Sequence, residues 1–196
     1  MALAAFLTTA ATDAAAEPVT IRGLTFSDEQ GGFRIRDGWG SGSLEDPIVI
    51  VEEITGNGSV VLVVRGMGPV IGNAIPTAHP AGFVLRKIVI NGTGMPWLFY
   101  DIELQKRFGV PSDLFDGLSF GQNSQAGRPF LSDLFQQSVS QDEPRDALLF
   151  YDGIVEPGQA VTMTFVVTAT GPIPEFFILQ RPNRPVAALP SPVDGG

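Results

Sequence analysis

The sequence has no cysteine, a single histidine, and charge on only 17% of its 196 residues. Without thiols there can be no disulfide scaffold, thiolate metal site, iron–sulfur cluster or cysteine nucleophile. One imidazole excludes a multi-histidine metal site. Basic residues are scarce as well: 12 Lys and Arg stand against 21 Asp and Glu, a formal net charge of −9. That balance is wrong for a nucleic-acid phosphate backbone, which needs clustered cations. No apolar run reaches the about 20 residues that cross a bilayer as a helix, so no transmembrane segment is expected. What the chain does have is 44% hydrophobic residues, 23 Gly and 16 Pro. The apolar share is too high for a disordered chain, and the length suits one domain with a real core.

The ends read differently from the middle. Residues 1–16 (MALAAFLTTAATDAAA) are small and apolar and finish on an Ala-x-Ala pattern before Glu17-Pro18. This is a signal-derived segment or an Ala-rich helix, although it lacks a positive n-region. Residues 182–196 form a Pro-rich tail. Between them, residues 17–181 are expected to form a single domain.

Strand dominates that domain. In Val161–Thr170, Val161, Met163, Phe165, Val167 and Ala169 alternate with threonines, the period-two pattern of a half-buried strand. Phe165 is the best single core candidate. Ile48–Ile54 and Ser59–Arg65 are β-branched runs separated by Thr55-Gly56-Asn57-Gly58, and Asn-Gly is the strongest short hairpin signal. Phe83–Asn91, Trp97–Gln105, Phe176–Gln180, Val19–Phe26, Gly32–Arg36 and Leu148–Tyr151 also read as strands, with Leu98, Tyr100, Ile102 and Leu104 on one face of the second. Helix is confined to two turns over Ser132–Ser140, capped by Ser132, and one turn over Ser112–Phe115. The fold expected is all-β: an antiparallel β-sandwich of immunoglobulin-like or jelly-roll type, eight to ten strands, with a long loop excursion near 109–145.

Few motifs carry chemistry. Gly117-Leu118-Ser119-Phe120-Gly121 fits the G-x-S-x-G nucleophile elbow, but that elbow needs a helix after it and a histidine downstream, and His79 lies upstream. A glycine-flanked strand or turn is the better reading. Gly38-Trp39-Gly40-Ser41-Gly42 leads into a strand rather than a helix, so it reads as a surface turn and not a phosphate cradle. His79 reads as a solvated loop residue. Seven acidic residues (Asp113, Asp116, Asp133, Asp142, Glu143, Asp146 and Asp152) crowd the later loops, none in a calcium-loop pattern. Asn57-Gly58-Ser59 and Asn91-Gly92-Thr93 read as turn chemistry rather than glycosylation sites. The candidate ligand-binding set is Trp97, Phe99, Asp101 and Glu103, placed by alternation on one strand face. Rings beside carboxylates are what a sugar platform uses, the rings stacking on apolar sugar faces. An exposed Trp97 favours a glycan, whereas a buried Trp97 favours a structural role. No catalytic residue, metal site or cofactor is expected.

The run Gly40–Ile50 resembles the Gly-rich, Asp-Pro-Ile openings of bacterial extracellular β-proteins. Asn91-Gly92-Thr93-Gly94 before Trp97, and Val155–Gln159 before Val161, are similar to strand entries in secreted immunoglobulin-like sandwich modules. The resemblance implies an exported β-sandwich, periplasmic or on the cell surface. The expectation is therefore a non-enzymatic structural or accessory subunit with a protein partner or a second copy of itself, and alternatively a carbohydrate-binding module built around Trp97.

Overall fold

The computed structural model describes residues 17–68, 74, 75, 77, 79–113, 115–121 and 130–183. The N-terminal segment 1–16 and the tail from 184 onward lie outside the described residues. Among the described residues thirteen strands follow one another: β1 (Val19–Ile21), β2 (Leu24–Ser27), β3 (Phe33–Trp39), β4 (Ile48–Ile54), β5 (Val60–Met67), β6 (Ala81–Asn91), β7 (Tyr100–Gln105), β8 (Leu118–Ser119), β9 (Leu131–Ser132), β10 (Gln137–Gln141), β11 (Ala147–Tyr151), β12 (Ala160–Ala169) and β13 (Ile173–Pro182). Among the described residues there is no helix, and hence none long and apolar enough to cross a membrane.

The strands form a β-sandwich. One sheet has seven strands in the order β1-β2-β5-β13-β7-β11-β10, and the other runs β3-β4-β6-β12-β8, with β9 pairing β12. Pairing is antiparallel except between β4 and β6, which run parallel with Ile50 opposite Lys87. The core lies between the sheets. Phe26, Leu62, Val64, Phe176, Ile178, Ile102, Leu104, Leu148 and Phe150 of the first sheet meet Ile48, Ile50, Phe83, Leu85, Val89, Val161, Met163, Phe165 and Val167 of the second. Phe165 is fully buried and packs edge-on against Phe120, ring centroids 5.4 Å apart.

Several local expectations are corrected. The Asn-Gly run at 55–58 does not close a hairpin. β4 pairs with β3 and β6, whereas β5 pairs with β2 and β13 in the other sheet. The turn is an arch between layers, held by Thr55 and Gly56 N–H groups donating to the Gly32 carbonyl. Val19–Phe26 is not one strand but a hairpin around Arg22-Gly23, both at positive φ (52° and 86°), which suits a two-residue type I′ turn. The helix expected over Ser132–Ser140 is absent. Ser132 Oγ does accept the N–H groups of Leu134 and Phe135, as a cap would. The chain then turns to β10, where Gln137–Gln141 pairs with β11 residue by residue and the ladder satisfies the backbone instead. The excursion near 109–145 accordingly contributes three short strands, β8, β9 and β10, to the two sheets.

Candidate functional site

β7 sits between β13 and β11, and this fixes where its carboxylates lie. Asp101 is registered against Arg181 of β13, and Glu103 against Ala147 of β11. Both carboxylates are buried on the outer face of the seven-stranded sheet. Arg181 donates from Nε (2.9 Å) and Nη2 (2.5 Å) to Asp101 Oδ1, and from Nη2 to Glu103 Oε2 (2.9 Å). Arg145 adds a donor to the same Glu103 oxygen at 3.1 Å, and Gln105 Nε2 donates to Glu103 Oε1 at 2.9 Å. One guanidinium fork thus straddles two carboxylates, a geometry that Arg supplies and Lys does not.

Trp97 and Phe99 do not complete a platform with them. Trp97 is 2% exposed and points into the core, its ring centroid 5.7 Å from that of Tyr100. Its Nε1 donates to Thr93 Oγ1, and its backbone is pinned by an antiparallel bridge to Val155. Phe99 is half-buried, and Leu98, expected inside with Tyr100, is 47% exposed. The physical reason is a break in period. Residues 97–99 precede β7, so Trp97 and Tyr100, three apart, both face inward, which uninterrupted alternation cannot produce. A cleft of about 310 Å³ opens beside Trp97, lined by Asn57, Thr93, Met95 and Asn183. Two of its polar side chains are already engaged: Thr93 Oγ1 donates to Asn91 Oδ1, and Asn183 Nδ2 donates to the Pro96 carbonyl while its Oδ1 accepts from Leu98 N–H.

A second polar cluster lies between the sheets, and the sequence reading did not anticipate it. Glu52 (β4), Lys87 (β6), Tyr100 (β7) and Gln180 (β13) are all fully buried. Lys87 Nζ donates to Gln180 Oε1 at 2.6 Å, and Tyr100 Oη donates to that same oxygen at 2.5 Å. Gln180 Nε2 donates to Glu52 Oε2 at 3.4 Å, while Lys87 Nζ lies 2.5 Å from Glu52 Oε1. That last approach is an ion-pair contact off the hydrogen-bonding direction, since Oε1 accepts no aligned hydrogen bond. Burial pushes the Lys87 amine below its ordinary value, and the Glu52 carboxylate opposes this. Burial also pushes the Tyr100 phenol well up, with the Glu52 charge adding in the same direction. The signal was present in the sequence as polar residues in core phase. Glu52 continues the inward set Ile48, Ile50; Lys87 continues Phe83, Leu85; Gln180 continues Phe176, Ile178.

The remaining motif residues are structural. Ser119 is buried in β8, where its Oγ is 3.0 Å from Thr168 Oγ1 on the antiparallel β12; it sits on a strand and not at a strand–helix elbow. Gly38 and Trp39 belong to β3, and Ser41 and Gly42 N–H groups donate to the Asp46 carbonyl in the turn that follows. His79 is half-buried, with its imidazole held below its ordinary value by that burial. Four of the seven acidic loop residues accept backbone N–H groups: Asp113 from Phe115, Asp116 from Leu118, Asp133 from Thr162 and Asp146 from Phe120. Among the described residues no three His, Asp or Glu side chains converge as metal ligands would. Asn91 of the second sequon is buried, its Nδ2 donating to the Met95 and Val155 carbonyls and its Oδ1 accepting from Thr93. No protein-family profile, characterised protein or solved structure matches this chain.

Proposed function

We propose that this chain is a non-catalytic, exported structural or accessory subunit of a cell-surface or periplasmic assembly, working through protein–protein contacts. The observation that carries the reading is the edge strand β10. Among the described residues it ends the seven-stranded sheet and is paired on one side by β11. Its sequence, Gln-Ser-Val-Ser-Gln, carries neither charge nor proline. Natural sheets blunt exposed edges with lysine, proline or bulges, and an uncharged five-residue edge is a template on which another chain can add a strand. Two groups of ionisable side chains, around Arg181 and around Lys87, are buried and turned toward one another.

The test is recovery of the native complex from the cell envelope, with the mass of the purified chain in solution measured by light scattering. The reading expects a stable oligomer or a co-purifying protein, and loss of either in Val139→Lys, which places a charge in the middle of β10. A monodisperse monomer with no envelope partner overturns it.

A further inference from the structure

The geometry points to a covalent cross-link: Lys87 and Gln180 are poised to form an intramolecular amide (isopeptide) bond joining the two sheets, with Glu52 as proton relay and Tyr100 as the donor that polarises the Gln180 carbonyl. This goes beyond the assembly role proposed above and does not depend on it.

Each part needed is present. The nucleophile is an amine that full burial drives toward its neutral form. The electrophile is a carboxamide whose oxygen already receives two donors, Nζ of Lys87 and Oη of Tyr100. Because Nζ is 2.6 Å from Oε1 and a C=O bond is about 1.23 Å, Nζ lies no more than about 3.8 Å from Cδ, close to a near-attack distance. Glu52 touches the amine through one oxygen and the amide nitrogen through the other. That is where a group must sit to take a proton from the attacking nitrogen and give one to the leaving nitrogen. Because Glu52 touches both nitrogens while the Gln180 carbonyl oxygen receives both donors, Glu52 is assigned the relay and Gln180 the acceptor role.

The step balances without a co-reactant. In the neutral pair, the lone pair of Nζ forms a bond to Cδ and the carbonyl oxygen becomes an oxyanion held by Tyr100. The protonated Glu52 gives its proton to Nε2, and its carboxylate takes one from Nζ. The Cδ–Nε2 bond then breaks, the carbonyl re-forms and ammonia leaves. Glu52 ends in its starting protonation state, and nothing is oxidised or reduced.

Peptide mapping of the purified full-length chain decides the matter. The expected result is the Lys87 peptide joined to the Gln180 peptide at about 17 Da below their combined mass, the loss of one ammonia, with no tryptic cleavage after Lys87. Glu52→Gln is expected to give the two peptides unjoined from a chain that retains its strand circular dichroism. Should that variant fail to fold, the wild-type map alone settles the question. Separate, unmodified Lys87 and Gln180 peptides from folded wild-type protein overturn the proposal. A loss of about 18 Da joining Lys87 to Glu52, which would be loss of water, also overturns it, as does undiminished cross-linking in Glu52→Gln.

Discussion

Phe165 and Arg181 hold this molecule in different ways, and their removal should fail differently. Phe165 is apolar, fully buried and stacked edge-on against Phe120. Phe165→Ala therefore loses transfer energy and leaves a cavity, and should cost about 3–5 kcal/mol in denaturant unfolding. A loss below about 1 kcal/mol would show that the ring contributes little to the core. Arg181→Met leaves two buried carboxylates, Asp101 and Glu103, without their shared cation. Stripping one partner from a buried charge cluster costs about 3–5 kcal/mol, to be read in the same denaturant unfolding. At the surface, Glu29 is held at about 2 by the Arg65 guanidinium and by Ser27. Because its folded value lies below its ordinary 4.5, the stabilisation is present above pH 4.5 and is lost as pH falls toward 2. Both side chains are well exposed, so the effect is small, below about 1 kcal/mol. Glu29→Gln should flatten the stability profile across that window, lowering stability slightly at neutral pH and leaving it unchanged near pH 2.

Elements were more legible than the connections between them. Strands announce themselves through alternation, and the inward set Val161, Met163, Phe165, Val167 and Ala169 of β12 lies in the core as read. Turn chemistry gives the bend but not the partner. Gly56-Asn57-Gly58 bends the chain as expected, yet whether the next strand lies beside β4 or across the core depends on residues far away in sequence, namely β13 and β6. Ser132 likewise caps its following N–H groups, but β11 competes successfully for the next segment. The buried quartet was legible in principle, since Glu52, Lys87 and Gln180 each interrupt an apolar phase. What no single strand discloses is that the three interruptions coincide in space, because that needs the register of two sheets. The turn after β3 offers a direct test of local geometry. Gly40 has φ +107°, and a Cβ there would fall 1.9 Å from the Pro47 carbonyl oxygen. Gly40→Ala should thus cost about 1–3 kcal/mol from backbone strain alone and disturb the β3–β4 pairing, seen as faster amide exchange at Ile48 and Val49.

Taken whole, the molecule is an interleaved pair of layers whose chain keeps crossing between them: β4 to β5, β5 to β6, β6 to β7, β11 to β12 and β12 to β13 all change sheet. A bond between Lys87 and Gln180, 93 positions apart, would tie those layers at their centre. By the loop-closure argument it would stabilise the fold by about 4–5 kcal/mol. The same interleaving governs the order in which the molecule can be made. β13 occupies the middle of the seven-stranded sheet, between β5 and β7, although twelve strands precede it along the chain. While a ribosome is still extending the polypeptide, that sheet exists only as two unjoined halves, β1-β2-β5 and β7-β11-β10. A chain ending at Gly171 should give no cooperative unfolding transition and no near-ultraviolet tryptophan signal. The keystone strand is made after the twelve other described strands, so the seven-stranded sheet cannot close until residues 173–182 have emerged.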